Sequence, residues 1–284
     1  VITGLAFHWH LLAIVTLVVA GVLYDQFGSR TLKPWRAYTT LVVTAAVTLW
    51  PMGDLATSVS LSAITVQRLV LMLLTAPALL RAIPISVMDR ITKPAPIDGL
   101  LRVLTRPFVA IAVVTVLGAV LVSPPVVDAA ATSGWVHDIV LASVFVSGLL
   151  FWLPPMGVVP GMRRLSPVAN AGYLFVGSVV VTILSFVWIF ARQPLYPGLH
   201  HQHEILGVSP VFDVQLAGFI AKFGAYVPLW TIAFTRFARA GDEDRPPPEE
   251  SPLHWADVER QLSRIDRARR RQARRSSSDG VDEP

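Results

Sequence analysis

Seven long apolar runs, separated by short stretches that hold nearly all of the charge, dominate this sequence. They are Leu5–Tyr24, Ala37–Ala56, Leu61–Leu80, Pro107–Ser123, Val136–Leu153, Val168–Ala191 and Phe212–Phe237. Each is long enough to cross roughly 30 Å of hydrocarbon at about 1.5 Å per residue. Inside a bilayer the backbone finds no water, so such runs satisfy their own hydrogen bonds as helices. The expected fold is therefore all-α: a polytopic membrane protein with a seven-transmembrane-helix bundle. The composition agrees, with 53% hydrophobic residues and 15% charged, against roughly 25% charged in soluble domains.

Lys and Arg set the orientation. The first loop carries Arg30, Lys33 and Arg36, the third Arg81, Arg90, Lys93, Arg102 and Arg106, and the fifth Arg163 and Arg164. The second and fourth loops carry none, and the sixth only Arg192. Odd loops are thus expected in the cytoplasm, with the N-terminus outside and the C-terminus cytoplasmic. The eleven basic residues from Arg236 onward agree. This distribution explains the net charge of +5 by topology and argues against a nucleic-acid partner.

The chain divides into a transmembrane domain, 1–240, and a tail, 241–284. Gly241–Pro252 is acidic and Pro-rich, a linker composition. In Leu253–Arg275, Trp255, Val258, Leu262 and Ile265 recur at helical spacing opposite many arginines. An amphipathic helix of this kind suits anionic lipid, with partner docking or a solvated tail as alternatives. Ser276–Pro284 reads as disordered.

There is no cysteine, which excludes disulfides, thiolate metal sites and thiol catalysis. Nor is there a phosphate-binding Gly-rich loop, a dinucleotide turn, a nucleophile elbow or a His-Glu-x-x-His motif. The reading is non-enzymatic. Two groups of polar residues remain. Six of seven histidines fall on the expected outer side: His8 and His10 at the end of the first span, His137 at the start of the fifth, and His200, His201 and His203 in the sixth loop. Imidazole suits copper and zinc. The bland alternative is an interfacial Trp9 with polar neighbours and a loop that happens to be His-rich.

The second group is intramembrane. Gln67 and Arg68 lie about two turns into the third span. Asp138 lies near the outer end of the fifth span. Asp213 and Gln215 lie near that of the seventh, and Lys222 about midway along it. A charge facing lipid costs at least about 2.5 kcal/mol, so these should face the bundle interior. Arg68 is at a depth compatible with Asp138 or Asp213, as a polar site or as a structural ion pair. Lys222 has no evident partner at its depth.

Pro194-Leu195-Tyr196, Gly207, Ser209-Pro210 and Asp213-Val214-Gln215-Leu216-Ala217-Gly218 follow one another in order. Gln67, Leu71-Met72, Ala76-Pro77 and Leu79-Leu80 mark the third span, His137 and Gly148-Leu149-Leu150-Phe151-Trp152 the fifth. Over roughly residues 1–240 the chain resembles the CtaG-type cytochrome c oxidase assembly factor family of bacteria. That family has a similar Pro-Leu-Tyr and an Asp-Gln-Gln-Leu-Ala-Gly run. The resemblance implies a multi-pass protein of the cytoplasmic (inner) membrane. It further implies a role in maturing the terminal oxidase, copper supply at the outer face, and oxidase subunits or other respiratory-complex proteins as partners. The chain departs from the family at Ile64, Arg68 and Leu141, where the family usually has histidines, and at Val214, where it has a glutamine. A transporter for copper or another small solute, and an accessory respiratory subunit, remain alternative readings.

Overall fold

A computed structural model describes residues 34–49, 52–162, 164–199 and 207–243, with isolated positions at 14, 17–18, 21–22, 259, 262–263 and 265. The described residues are helical and contain no strand. In chain order the helices are α1 (Pro34–Thr48), α2 (Met52–Ser58), α3 (Leu61–Ala82), α4 (Ile85–Thr92), α5 (Ala95–Leu104), α6 (Pro107–Leu121), α7 (Pro124–Thr132), α8 (Gly134–Met156), α9 (Pro167–Ile189) and α10 (Pro210–Glu243). Within α9, a turn separates Pro167–Val181 from Ser185–Ile189. Two compact units are present, Val1–Ala238 and Arg239–Pro284. In the second, 239–243, 259, 262–263 and 265 are helical. The rest of the tail helix expected at Leu253–Arg275 lies outside the described residues.

Four of these helices are long and apolar enough to cross a membrane: Leu61–Ala82, Gly134–Met156, Pro167–Ile189 and Pro210–Arg239. The number rises to five if α5 and α6, bent by 87° at their junction, form one broken span. The expected span Leu5–Tyr24 lies almost wholly outside the described residues. The run Ala37–Ala56 is divided between α1 and α2. With 15 residues, α1 extends only about 22 Å. Trp50-Pro51 lies between the two helices, and a proline has no N–H to continue a helical ladder.

Prolines also set many of the starts. α5, α6, α7 and α9 each have Pro at the first or second helical position, where the missing N–H costs nothing. The stretch 81–106, legible in sequence only as a charged loop, is mostly helical. Pro84 and Pro94 take extended backbone before α4 and α5, and Asp89–Lys93 and Asp98–Arg102 pair one turn apart.

Prolines inside helices produce the main tertiary ties. In α3 the segment Leu71–Thr75 is a π-turn, and the Ala76 N–H donates to Leu71 O. The next residue, Pro77, has no N–H to offer Met72 O. Trp152 Nε1 donates to that carbonyl instead, at 3.0 Å. One turn before Trp152, Gly148 allows the close approach: a Cβ there would lie 2.9 Å from Met72 Cα. In α8, Pro155 removes the donor for Phe151 O, and the Tyr173 hydroxyl supplies it at 2.8 Å. α8 thus packs along α6, α7 and the second half of α3, with Phe151, Trp152 and Leu174 in the core. Trp152→Phe keeps an aromatic ring, though a smaller one, and leaves Met72 O without its indole donor. It is expected to cost about 1–3 kcal/mol, read as a lower thermal midpoint in detergent.

Pro228 lies within α10 and does not end it. The helix runs on to Glu243, a few residues into the stretch whose composition reads as linker.

Candidate functional site

Asp213, in the first turn of α10, is only 2% exposed. Its carboxylate accepts hydrogen bonds from the Leu61 N–H at 2.7 Å, the Ser62 N–H at 3.3 Å and the Ser60 hydroxyl at 2.7 Å. The Ser62 hydroxyl donates back to Asp213 O at 3.0 Å. These donors are the N-terminus of α3, whose first amides have no intrahelical acceptor. The acid therefore sits at the positive end of that helix.

Arg68, two turns along α3 and partly buried, donates from one terminal nitrogen to Leu121 O at 3.1 Å. Leu121 is the last residue of α6, so the guanidinium sits at the negative end of a different helix. The two intramembrane charges are thus matched to helix termini and not to each other. Among the described residues, Asp89–Lys93 and Asp98–Arg102 form ion pairs, each between residues four apart. Asp138 is partly buried near the start of α8, in its second turn.

The connection from α9 to α10 is tied to the same end. The Tyr196 hydroxyl accepts from Trp188 Nε1 at 2.9 Å and donates to Val122 O at 2.7 Å, one residue beyond Leu121. The Gly198 N–H donates to Asp128 at 2.8 Å. Gln215 donates to Ala191 O at 2.9 Å, and Gln67, 1% exposed, to Val47 O at 3.0 Å. Leu199 is buried with Tyr196, Trp188 and Val214. Sequence reasoning passed over Ser60, Ser62, Asp128 and Trp188. The pair Ser60–Ser62 around the first residue of an apolar run was the available signal, since serine is a preferred N-cap.

Burial pushes the Tyr196 phenol up to about 12. The Trp188 hydrogen bond and the Arg68 charge oppose this, and Asp128 adds to it. The unfolded phenol ionises near ~10. The folded state therefore holds the proton more tightly, and this contribution is present below pH ~10 and lost as pH rises towards 12. Tyr196→Phe is expected to flatten the fall in stability across that window, measured by unfolding midpoints between pH 9 and 12.

His137 is buried. It lines a cavity of about 10 Å³ with Ile64, Gln67, Arg68 and Leu141, about the room one water needs. Ile64, Arg68 and Leu141 are the positions at which the family resemblance expects histidines: Leu141 lies one turn from His137 on α8, and the fold brings Ile64 and Arg68 of α3 to the same cavity. The lining offers one imidazole and the Gln67 carboxamide, with aliphatic side chains and a guanidinium around them. Copper needs several nitrogen or sulfur donors, and Arg68 is a permanent cation. This donor set does not fit a copper ion. Among the described residues, no group of three or more His, Cys, Asp or Glu is placed to hold a metal. His8, His10, His200, His201 and His203 lie outside the described residues.

Lys222 does have partners. Its Nζ lies 3.9 Å from the Phe186 ring centre and 4.2 Å from that of Tyr226, and 3.1 Å from the Tyr226 hydroxyl. Cation–π attraction of this kind strengthens where water is excluded.

A family model described as cytochrome c oxidase caa3 assembly factor matches residues 28–241. No curated protein and no solved structure matches the chain.

Proposed function

The chain belongs to the cytochrome c oxidase caa3 assembly factor family, and on that premise we propose that it serves oxidase assembly by presenting copper at the outer face of the bacterial cytoplasmic membrane. In this reading it is a seven-span, non-enzymatic protein with its N-terminus outside. Its basic tail is cytoplasmic and contacts anionic lipid, and its partners are oxidase subunits or other respiratory-complex proteins.

The observation that carries the reading is the family match over most of the chain. The motif residues support it by what they do. Tyr196, Asp213 and Gln215 hold the approach to the His-rich stretch against the ends of α3, α6 and α9. The chain is anchored in the core at Leu199, immediately before His200.

The proposed copper ligands are His200, His201 and His203, with His8 and His10 as further candidates. His137 is left out, because a guanidinium lines the same small cavity.

Two measurements test the proposal. Deleting the gene is expected to deplete the oxidase of haem absorbance and copper, and normal values would overturn the assembly role. Copper titration of the purified protein is expected to weaken at least tenfold when His200, His201 and His203 are changed to Ala. Unchanged stoichiometry and affinity would remove that loop from the site.

A further inference from the structure

A partly open cavity of about 140 Å³ is lined by residues of α3, α6, α8, α9 and α10. Its wall is apolar apart from Arg68 and the hydroxyls of Thr65, Ser147, Ser178, Thr182 and Ser185. Each hydroxyl already donates to a carbonyl of its own helix: Thr65 to Leu61 O, Ser147 to Ser143 O, Ser178 to Phe175 O, Thr182 to Ser178 O and Ser185 to Thr182 O. Ser178 also accepts from Trp230 Nε1 at 2.9 Å. The protons of these hydroxyls are thus engaged with backbone carbonyls.

Arg68 differs. A guanidinium has five N–H donors, and its one hydrogen bond among the described residues goes to Leu121 O. No acidic side chain among the described residues lines the cavity. A cation with spare donors in an otherwise apolar space favours an anion that carries an apolar body. Inorganic phosphate or sulfate does not fit, because one donor group and an apolar wall cannot replace its hydration. The volume is close to the roughly 150 Å³ at which an apolar cavity accepts one benzene.

We propose that this cavity binds a monocarboxylate with an apolar body of about benzene size, its carboxylate on Arg68. A compact aromatic acid and the head of a membrane fatty acid share this chemistry.

The probe is 4-bromobenzoate, added to the full chain in lipid nanodiscs and read by quenching of tryptophan fluorescence, since Trp188 lines the cavity. Saturable quenching is expected, with the neutral isostere 4-bromotoluene at least tenfold weaker. Gly118→Leu should abolish the saturable phase. Gly118 lines the cavity and a Cβ there meets nothing within 4 Å, so the added side chain starts in open space. Arg68→Gln should bring the two probes to similar affinity. Displacement by benzoate alone assigns the site to compact acids, and displacement by decanoate as well assigns it to fatty acids. Equal binding of both probes to the unaltered protein would overturn the proposal. So would quenching that survives Gly118→Leu, or displacement by neither acid.

Discussion

Replacing Asp213 with alanine is expected to destabilise the protein by about 2–4 kcal/mol, through loss of a helix cap and unsatisfied buried donors. The carboxylate is the acceptor for two backbone amides and for Ser60 at the start of α3. Without it those donors face a buried, water-poor environment. Asn retains one acceptor oxygen but no charge, so Asp213→Asn should fall between the two. Thermal midpoints in detergent order the three proteins. A midpoint for Asp213→Ala equal to that of the unaltered chain would show that the carboxylate is not the cap.

The second large effect is expected at Gly218, five residues further along the same motif. A Cβ there would lie 2.7 Å from Ile189 N and 2.9 Å from Ser185 O. Those are backbone atoms of α9 and cannot rotate away. Ala in place of Gly within a helix normally stabilises by about 1 kcal/mol, whereas overpacking costs about 1–3 kcal/mol. With backbone on the opposing side the overpacking cost wins, so Gly218→Ala should lower the thermal midpoint. Gly118→Ala has open space around it and should raise it. The opposite signs separate a packing requirement from helix propensity. A raised midpoint at both positions would refute the close contact of α9 and α10.

The two predictions show why the Asp213–Gly218 motif has its pattern. Asp213 caps α3, Gln215 bonds the end of α9, Ala217 is fully buried and Gly218 admits the neighbouring backbone. A resemblance could name the motif, but each residue's role depends on what lies opposite. The same holds for Trp152 and Tyr173. The lost N–H groups of Pro77 and Pro155 are legible in sequence. The side chains that answer Met72 O and Phe151 O come from other helices.

Charge pairing was the least legible part of the candidate site. Depth along the spans made Asp138 or Asp213 reasonable partners for Arg68. Depth does not reveal where a neighbouring helix ends, and helix ends carry partial charges that compete for these side chains. The break after Leu121 turned a carbonyl towards Arg68, and the start of α3 turned amides towards Asp213. Lys222 found aromatic faces, which a search for acids along the chain would not consider.

The sequence by itself determined that the described apolar runs are helical and located the four long helices, though not that the run Ala37–Ala56 is divided. These follow from local physics: hydrocarbon forces each backbone group to pair within its own segment, and proline marks the first turns. The tertiary structure decided which groups meet. Asp213 and Ser60 are 153 residues apart, and His137 on α8 shares its cavity with Ile64 and Arg68 of α3. Such contacts arise from how helices pack and where they end, and no local run of residues specifies them.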